Sequence, residues 1–221
     1  MRTALIADIH GNLPALQSVM ERIDRLDVNR IICLGDTVGY YPFVNECIGI
    51  VREKCEFSVM GNHDLYLTGK AECPRSGTVR LTIGYQRGII TDDALAWLGS
   101  LPDHFSDDQM YICHGGPLDH IDQYLREPPY AFDADASIFA SAHTHVPVVY
   151  TENGKIYVNP GSVGQPRDGD PRASFAVFDD DKTVRIERVP YDIDAVADAS
   201  LRAGFDERLF GCLYRGTKIG G

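Results

Sequence analysis

Two hydrophobic rhythms alternate along the N-terminal part of the chain. "RTALIAD" (residues 2–8) is a short, nearly continuous apolar run ending in a polar loop, and "LPALQSVMERIDRL" (13–26) follows with Leu13, Leu16, Val19, Ile23 and Leu26 at helical spacing. The first predicts a buried strand, the second an amphipathic helix. The pair recurs: "RIICLGD" (30–36) predicts a second strand, "PFVNECIGIVREK" (42–54) a helix opened by Pro42, and "FSVMGNHD" (57–64) a third strand running into a loop. Strands alternating with helices imply a parallel sheet. Beyond Asp64 the rhythm is less regular, although "TDDALAWLGSLP" (91–102) reads as a helix capped by Thr91, with Leu95, Leu98 and Leu101 on its apolar face. After Pro102 the runs become short and β-rich: "QMYICHGG" (109–116), "ASIFASAHTH" (136–145), "VPVVYTENGKIYVNPGS" (146–162), "SFAVFD" (174–179) and "TVRIERVP" (183–190). The Asn-Gly within "ENGK" marks a tight hairpin.

Composition narrows the class. The 221 residues, 44% of them hydrophobic, suffice for one globular domain with a real core. With no internal repeat, low-complexity tract or linker, a single domain is expected over residues 1–221, its core at about 2–190 and a C-terminal helix and tail at about 191–221. No apolar run reaches the length of a membrane span, and "MRTALIADIH" lacks a small-residue cleavage site, so a cytoplasmic protein with no membrane partner is expected. The six cysteines show no CxxC spacing and read as reduced structural thiols. A net charge of −11 argues against long nucleic acid held by a diffuse basic surface, so any nucleotide partner should be small.

Every strand end carries a group able to bind metal. Asp8 and His10 follow the first strand, Asp36 the second, Asn62 and His63 the third, His114 follows "MYIC", and His143 and His145 follow "SIFAS". In parallel sheets ligands bind beyond the carboxyl ends of the strands, so these loops could converge on one rim, gathering five of the seven histidines. For "SAHTHVP" (141–147), alternate residues of a strand share a face, which would aim both imidazoles into one pocket; a core histidine pair is the plainer alternative. Carboxylate oxygen, amide oxygen and imidazole nitrogen together suit Mn²⁺, Fe²⁺, Zn²⁺ or Ni²⁺, and two ions fit better than one. Taken singly, "ADIHGN" or "LGD" is better read as a cap or turn, and "AHTH" reads equally as a strand pair of satisfied histidines. Their ordered co-occurrence carries the signal.

The blocks D-I-H (8–10), G-D (35–36), G-N-H-D (61–64), H-G-G (114–116) and H-T-H (143–145), in this order and spacing, resemble the calcineurin-like metallophosphoesterases, specifically their small prokaryotic, phosphodiesterase-type branch. "GDTVGY" (35–40) and "NPGSVGQPRDGDPRAS" (159–174) strengthen the likeness, which runs from residue 2 to about 190. The resemblance implies an α/β fold, a four-layer αββα sandwich of two mixed β-sheets flanked by helices, with metals at one rim. It further implies that Asp8, His10 and His145 hold one divalent ion, that Asn62, His114 and His143 hold the other, and that Asp36 bridges them. A bridging hydroxide would be the nucleophile, and His63 would assist the leaving oxygen. The substrate implied is a small phosphate ester, nucleotides included: a phosphodiester, a dinucleoside polyphosphate or a phosphomonoester.

Departures from the family pattern refine this. Protein-phosphatase members carry "GDxVDRG", whereas this chain has Gly39 and Tyr40 at the Asp-Arg positions, which disfavours that activity and leaves Asp64 as the candidate to orient His63. Ala142 stands for the usual Gly of "GHxH", and "GYYPFVNE" replaces "GYGPxPNE", so that Tyr41, Phe43 and Val44 could reshape the substrate mouth. Arg167 and Arg172 are the candidate phosphate contacts, with loop salt bridges to Asp168 and Asp170 as the alternative, and Tyr40 is the candidate to stack on a base. The competing functions are a phosphomonoesterase on nucleotides or sugar phosphates, and a non-catalytic scaffold like the retromer subunit of eukaryotes. Loss of the catalytic histidine accompanies the scaffold use; His63 is kept here. Neither oligomeric state nor the physiological ester follows from the sequence.

Overall fold

The structure is a computed structural model in which residues 1–75, 77–125 and 136–220 are described. The N-terminal part runs β1 (Thr3–Ile6), α1 (Leu13–Asp24), β2 (Arg30–Cys33), α2 (Val44–Lys54), β3 (Phe57–Ser58), α3 (Asn62–Thr68), α4 (Gly77–Ile89) and α5 (Asp92–Ser100). There follow β4 (His104–Ser106), β5 (Met110–Cys113), β6 (Ile138–Ala140), the hairpin β7 (Val148–Glu152) and β8 (Lys155–Asn159), β9 (Ala173–Phe178), β10 (Val184–Val189), α6 (Ile193–Arg202) and α7 (Glu207–Phe210).

Two mixed five-stranded sheets form, ordered β10-β9-β1-β2-β3 and β4-β5-β6-β8-β7. β1, β2 and β3 run parallel, as do β5, β6 and β8; β9 is antiparallel to both β1 and β10, and β4 and β7 are antiparallel edge strands of the second sheet. The sheets pack face to face. Leu5, Ala7, Ile32, Leu34, Val59 and Ala176 from the first meet Met110, Ile112, Ile138, Ala140, Ile156 and Val158 from the second. On its outer face the first sheet presents Ala4, Ile6, Cys33, Phe175 and Val177 to Leu16, Val19 and Ile23 of α1 and to Cys47 and Val51 of α2. β1 is buried on both faces, which is why it reads as a continuous apolar run rather than an alternating one. The outer face of the second sheet carries a smaller cluster (Cys113, Phe139, Tyr157) to which no described helix contributes.

The α/β architecture and the two mixed sheets agree with the expectation. One element differs: β3 is only Phe57–Ser58, and "GNHD" opens a helix instead of a loop. The cause is Asp64, whose carboxylate accepts the Gly61 N–H at 3.0 Å and so caps the first turn of α3. The helix α4 is absent from the periodicity because its buried face mixes Val79 and Ile83 with Thr82 and Gln86. The tail is not a loose end: Phe205, Leu209, Phe210 and Leu213 enter a core shared with α2–α6. Among the described residues no helix is long and apolar enough to cross a membrane, and all six cysteines are unpaired.

Candidate metal centre

The parallel strands end together, and the loops beyond them turn sharply inward. Among the described residues, eight non-glycine residues have positive φ; five of them are Asp8 (51°), His10 (55°), Asp36 (53°), His143 (65°) and His145 (61°). Left-handed backbone at such residues costs about 1 kcal/mol or more each and persists only where surrounding structure enforces it. Here backbone bonds do so: Asp8 N–H donates to Gly35 O (3.1 Å), His10 N–H to Asp36 O (2.9 Å) and Ala142 N–H to His114 O (2.8 Å). His143 and His145 therefore lie in a tight loop after β6, and the strand-face expectation for them is corrected. His143 packs against His114 (ring centroids 5.1 Å apart) and His145 against His10 (4.8 Å), so the two point to different neighbours.

Two donor groups result. Asp8, His10 and His145 offer atoms within 4.8 Å of one another, as do Asp36, His114 and His143. Asn62 joins the second group, its Oδ1 lying 3.2 Å from His114 Nε2. Asp36 Oδ2 is 3.7 Å from His10 Nε2 and 3.4 Å from His114 Nε2, between the groups. The imidazoles are held from behind: Nδ1 of His10 meets Val38 O (3.1 Å), Nδ1 of His114 meets Leu34 O (2.8 Å) and Nδ1 of His145 meets Gln165 O (2.6 Å). A carbonyl only accepts, so each Nδ1 carries hydrogen and each Nε2 is turned to the centre, the arrangement a metal ligand needs.

Electrostatics fits cations. Asp8 is fully buried, and neither of its oxygens has a hydrogen-bond partner. An orphaned buried carboxylate is costly unless a cation compensates it. Burial raises the Asp8 carboxyl to about 7. Burial also lowers His63 to about 4 and His143 to about 3, and puts His10 and His145 well below the usual imidazole range. For His114 burial opposes charging, but the adjacent Asp36 holds its proton up to about 10. Asp36 would be raised by burial yet sits well below the carboxylate range because His114 and His63 face it. His10, His143 and His145 are thus neutral imidazoles beside the ionised Asp36, and a cation would take the place of the proton on His114, so the set suits divalent ions.

His63 is on the same floor, and His10, Asp36 and His63 form a third group close enough to share an ion. No carbonyl holds its Nδ1, which is buried without a partner. Asp64 does not orient it: that carboxylate is consumed by the backbone N–H groups of Asp36 (2.8 Å), Val38 (3.1 Å) and Gly61 (3.0 Å). Rings orient it instead, with His10 and Tyr40 centroids 4.7 and 4.8 Å away. Gly39 makes this possible, since a Cβ there would lie 2.6 Å from Nδ1 of both His10 and His63.

Above the floor opens a cleft of about 200 Å³ lined by Asp36, Asn62, His63, His143, His145 and a cationic rim. Arg167 is on that rim, tied to Gln165 Oε1 (2.6 Å) and Tyr40 Oη (3.2 Å). Arg172 is not: it is drawn into a pair with Asp170 (2.6 Å), the salt-bridge alternative. Tyr40 lines the cleft but is 7% exposed beneath Arg167, so its ring is not open to stack a base; Tyr41 and Val44 are core residues rather than mouth. Arg75, Tyr124 and Lys218 complete the rim and went unnoticed in the sequence. They lie outside every motif block, and only Tyr124 stands near one.

A two-sheet α/β sandwich with this rim defines a metallophosphoesterase, and comparison agrees. The calcineurin-like phosphoesterase superfamily domain matches residues 1–183, and the chain belongs to that superfamily of metal-dependent phosphoester hydrolases. It is 35% identical to the uncharacterised protein MJ0912 of Methanocaldococcus jannaschii, covering 94% of this chain and 96% of that one. It is 26% identical to phosphodiesterase YfcE of Escherichia coli, over 82% and 89% of the two chains. A metallophosphoesterase from Sphaerobacter thermophilus superposes with a TM-score of 0.87 at 33% identity, covering 98% of this chain and 99% of that one.

Proposed function

We propose that the chain is a dinuclear-metal phosphodiesterase acting on a small phosphate ester. Asp8, His10 and His145 would hold one divalent cation, Asn62, His114 and His143 the other, and Asp36 both. The observation that carries the reading is Asp8, whose two oxygens are buried and unpartnered amid inward-turned imidazole nitrogens. When bound, two such cations acidify a water and neutralise phosphoryl oxygens.

The chain's own residues supply the rest. The bonds from Val38, Leu34 and Gln165 fix the imidazoles before substrate arrives, so little reorganisation is needed. Arg167, braced by Gln165, offers its guanidinium to a phosphoryl oxygen. His63, kept neutral by burial, gains affinity for a proton as an anionic phosphate enters and delivers it to the leaving oxygen. The same proposal places the protein in the cytoplasm, on its unpaired thiols.

The test is hydrolysis of bis-p-nitrophenyl phosphate and p-nitrophenyl phosphate by protein loaded with Mn²⁺, Ni²⁺, Zn²⁺ or Fe²⁺, with metal counted per chain. Metal-dependent turnover with preference for the diester is expected. Full metal occupancy with no hydrolysis of any mono-, di- or polyphosphate would sink the proposal and favour a scaffold.

A further inference from the structure

Beside the catalytic cleft lies a second, larger cavity of about 380 Å³, lined by Tyr124, Leu125, Thr144, Val146, Val148 and Lys218. Its size falls within the range of small-molecule sites, roughly 300–1,000 Å³. The two spaces are contiguous in their walls: Tyr124 and Lys218 line both. The histidine loop serves both as well, since His143 and His145 face the cleft while Thr144 and Val146 face the cavity.

The characters of the two differ. The cleft is floored by carboxylate and imidazole and rimmed by Arg75, Arg167 and Lys218, which suits a phosphate. The cavity is walled by leucine, valine and a tyrosine ring, with a single cation at the junction. The Lys218 ammonium lies 5.2 Å from the centroid of the Tyr124 ring, and that ring meets His143 edge-on at 5.4 Å. Lys218 is held there by the fold of the tail. The short turn Leu213–Arg215 ends at Gly216, whose carbonyl accepts the Gly169 N–H at 2.9 Å, and with φ at +61° a Cβ on Gly216 would lie 2.6 Å from the Asp170 backbone.

Resting on the phosphodiesterase reading, we propose that the cavity receives the retained substituent of the diester, and that this substituent is a flat aromatic ring, aryl or nucleobase. The retained and not the departing group is meant, because His63 packs on Tyr40 and Tyr66 whereas the cavity opens beside His143 and Tyr124. Lys218 at the junction contacts the phosphate, so the tail takes part in selecting substrate.

Three diesters with one common leaving group test this: methyl p-nitrophenyl phosphate, bis-p-nitrophenyl phosphate and the p-nitrophenyl ester of thymidine 5′-phosphate. All release p-nitrophenol, so once the bis-p-nitrophenyl value is halved for its two equivalent leaving groups their kcat/KM values differ by the retained group alone. A buried ring should raise kcat/KM over the methyl ester by at least about tenfold, the equivalent of 1.4 kcal/mol. Whichever ring ester is favoured identifies aryl or nucleobase as the source. Val148→Trp, which fills the cavity, and Tyr124→Ala, which removes a wall, should each bring the ratio towards one in protein whose metal content matches wild type. Equal kcat/KM on all three esters, or a ratio untouched in both variants, overturns the cavity assignment and leaves the hydrolase standing. Turnover of none of the three by metal-loaded protein removes both readings.

Discussion

At the scale of single residues the site is decided by what is missing as much as by what is present. Gly39 occupies the position where protein-phosphatase members carry aspartate, and the vacated space lets His10 approach Tyr40 edge to face and His63 pack on it at a tilt. Its φ of +129° adds a backbone reason for glycine. Gly39→Ala should therefore push on a metal-ligand candidate and on the proposed proton carrier together: kcat is expected to fall by about 10–100-fold with partial loss of metal, on the scale of disturbing a ligand's support. Metal analysis and steady-state kinetics on the diester check it. His63→Ala separates the two roles. It should lower kcat by about 10²–10⁴-fold, the usual contribution of a positioned acid or base, while both ions remain bound. Loss of an ion in this variant would instead make His63 a ligand, as its closeness to His10 and Asp36 allows.

Elements place those residues. The loop 37–41 has no secondary structure of its own and is clamped by one amide from α4: Gln86, fully buried, accepts the Gly39 N–H (2.9 Å) and donates to Gly39 O and to Tyr41 O (2.6 Å). Gln86→Leu keeps the volume and strands three backbone groups, so a loss of at least about 2 kcal/mol in denaturant unfolding is expected, with a fall in kcat/KM. Gln86 also shows where sequence reading stops. The strand ends and the order of the motif blocks were legible because apolar runs and metal-binding side chains are local patterns. Gln86, Arg75 and Lys218 act across gaps of tens of residues, and nothing near them in sequence marks them. Asp64 misled for the opposite reason: adjacency to His63 suggested a partner, but capping α3 occupies it. Arg172 misled likewise, since Asp170 two residues away binds it first.

For the whole molecule, the sandwich places three buried carboxylates, Asp8, Asp36 and Asp64, at one end of a chain that already carries a net charge of −11. Five left-handed candidate ligands add strain in the same place. Backbone strain and the unpartnered Asp8 carboxylate thus meet at the site, and bound cations should offset them: at a free concentration a hundred times Kd, one ion adds about 2.7 kcal/mol. For a chain of this size that is a rise in Tm of about 5–10 °C on adding Mn²⁺ to chelated protein. The decisive comparison is Asp8→Asn, which keeps the shape and removes the charge. In the metal-free protein the Asp8 carboxyl stands raised to about 7 from an ordinary 3.8, so the folded state holds that proton more tightly than the unfolded chain. Its cost to stability is absent below about pH 4, grows as pH rises and is complete above about 7. Chelated Asp8→Asn should accordingly melt above chelated wild type at pH 8, the gap closing towards pH 4, while its response to Mn²⁺ shrinks. A variant that melts below wild type at pH 8 in chelator, yet keeps the full Mn²⁺ response, would mean that Asp8 is a structural carboxylate and that the cations are held by the remaining ligands.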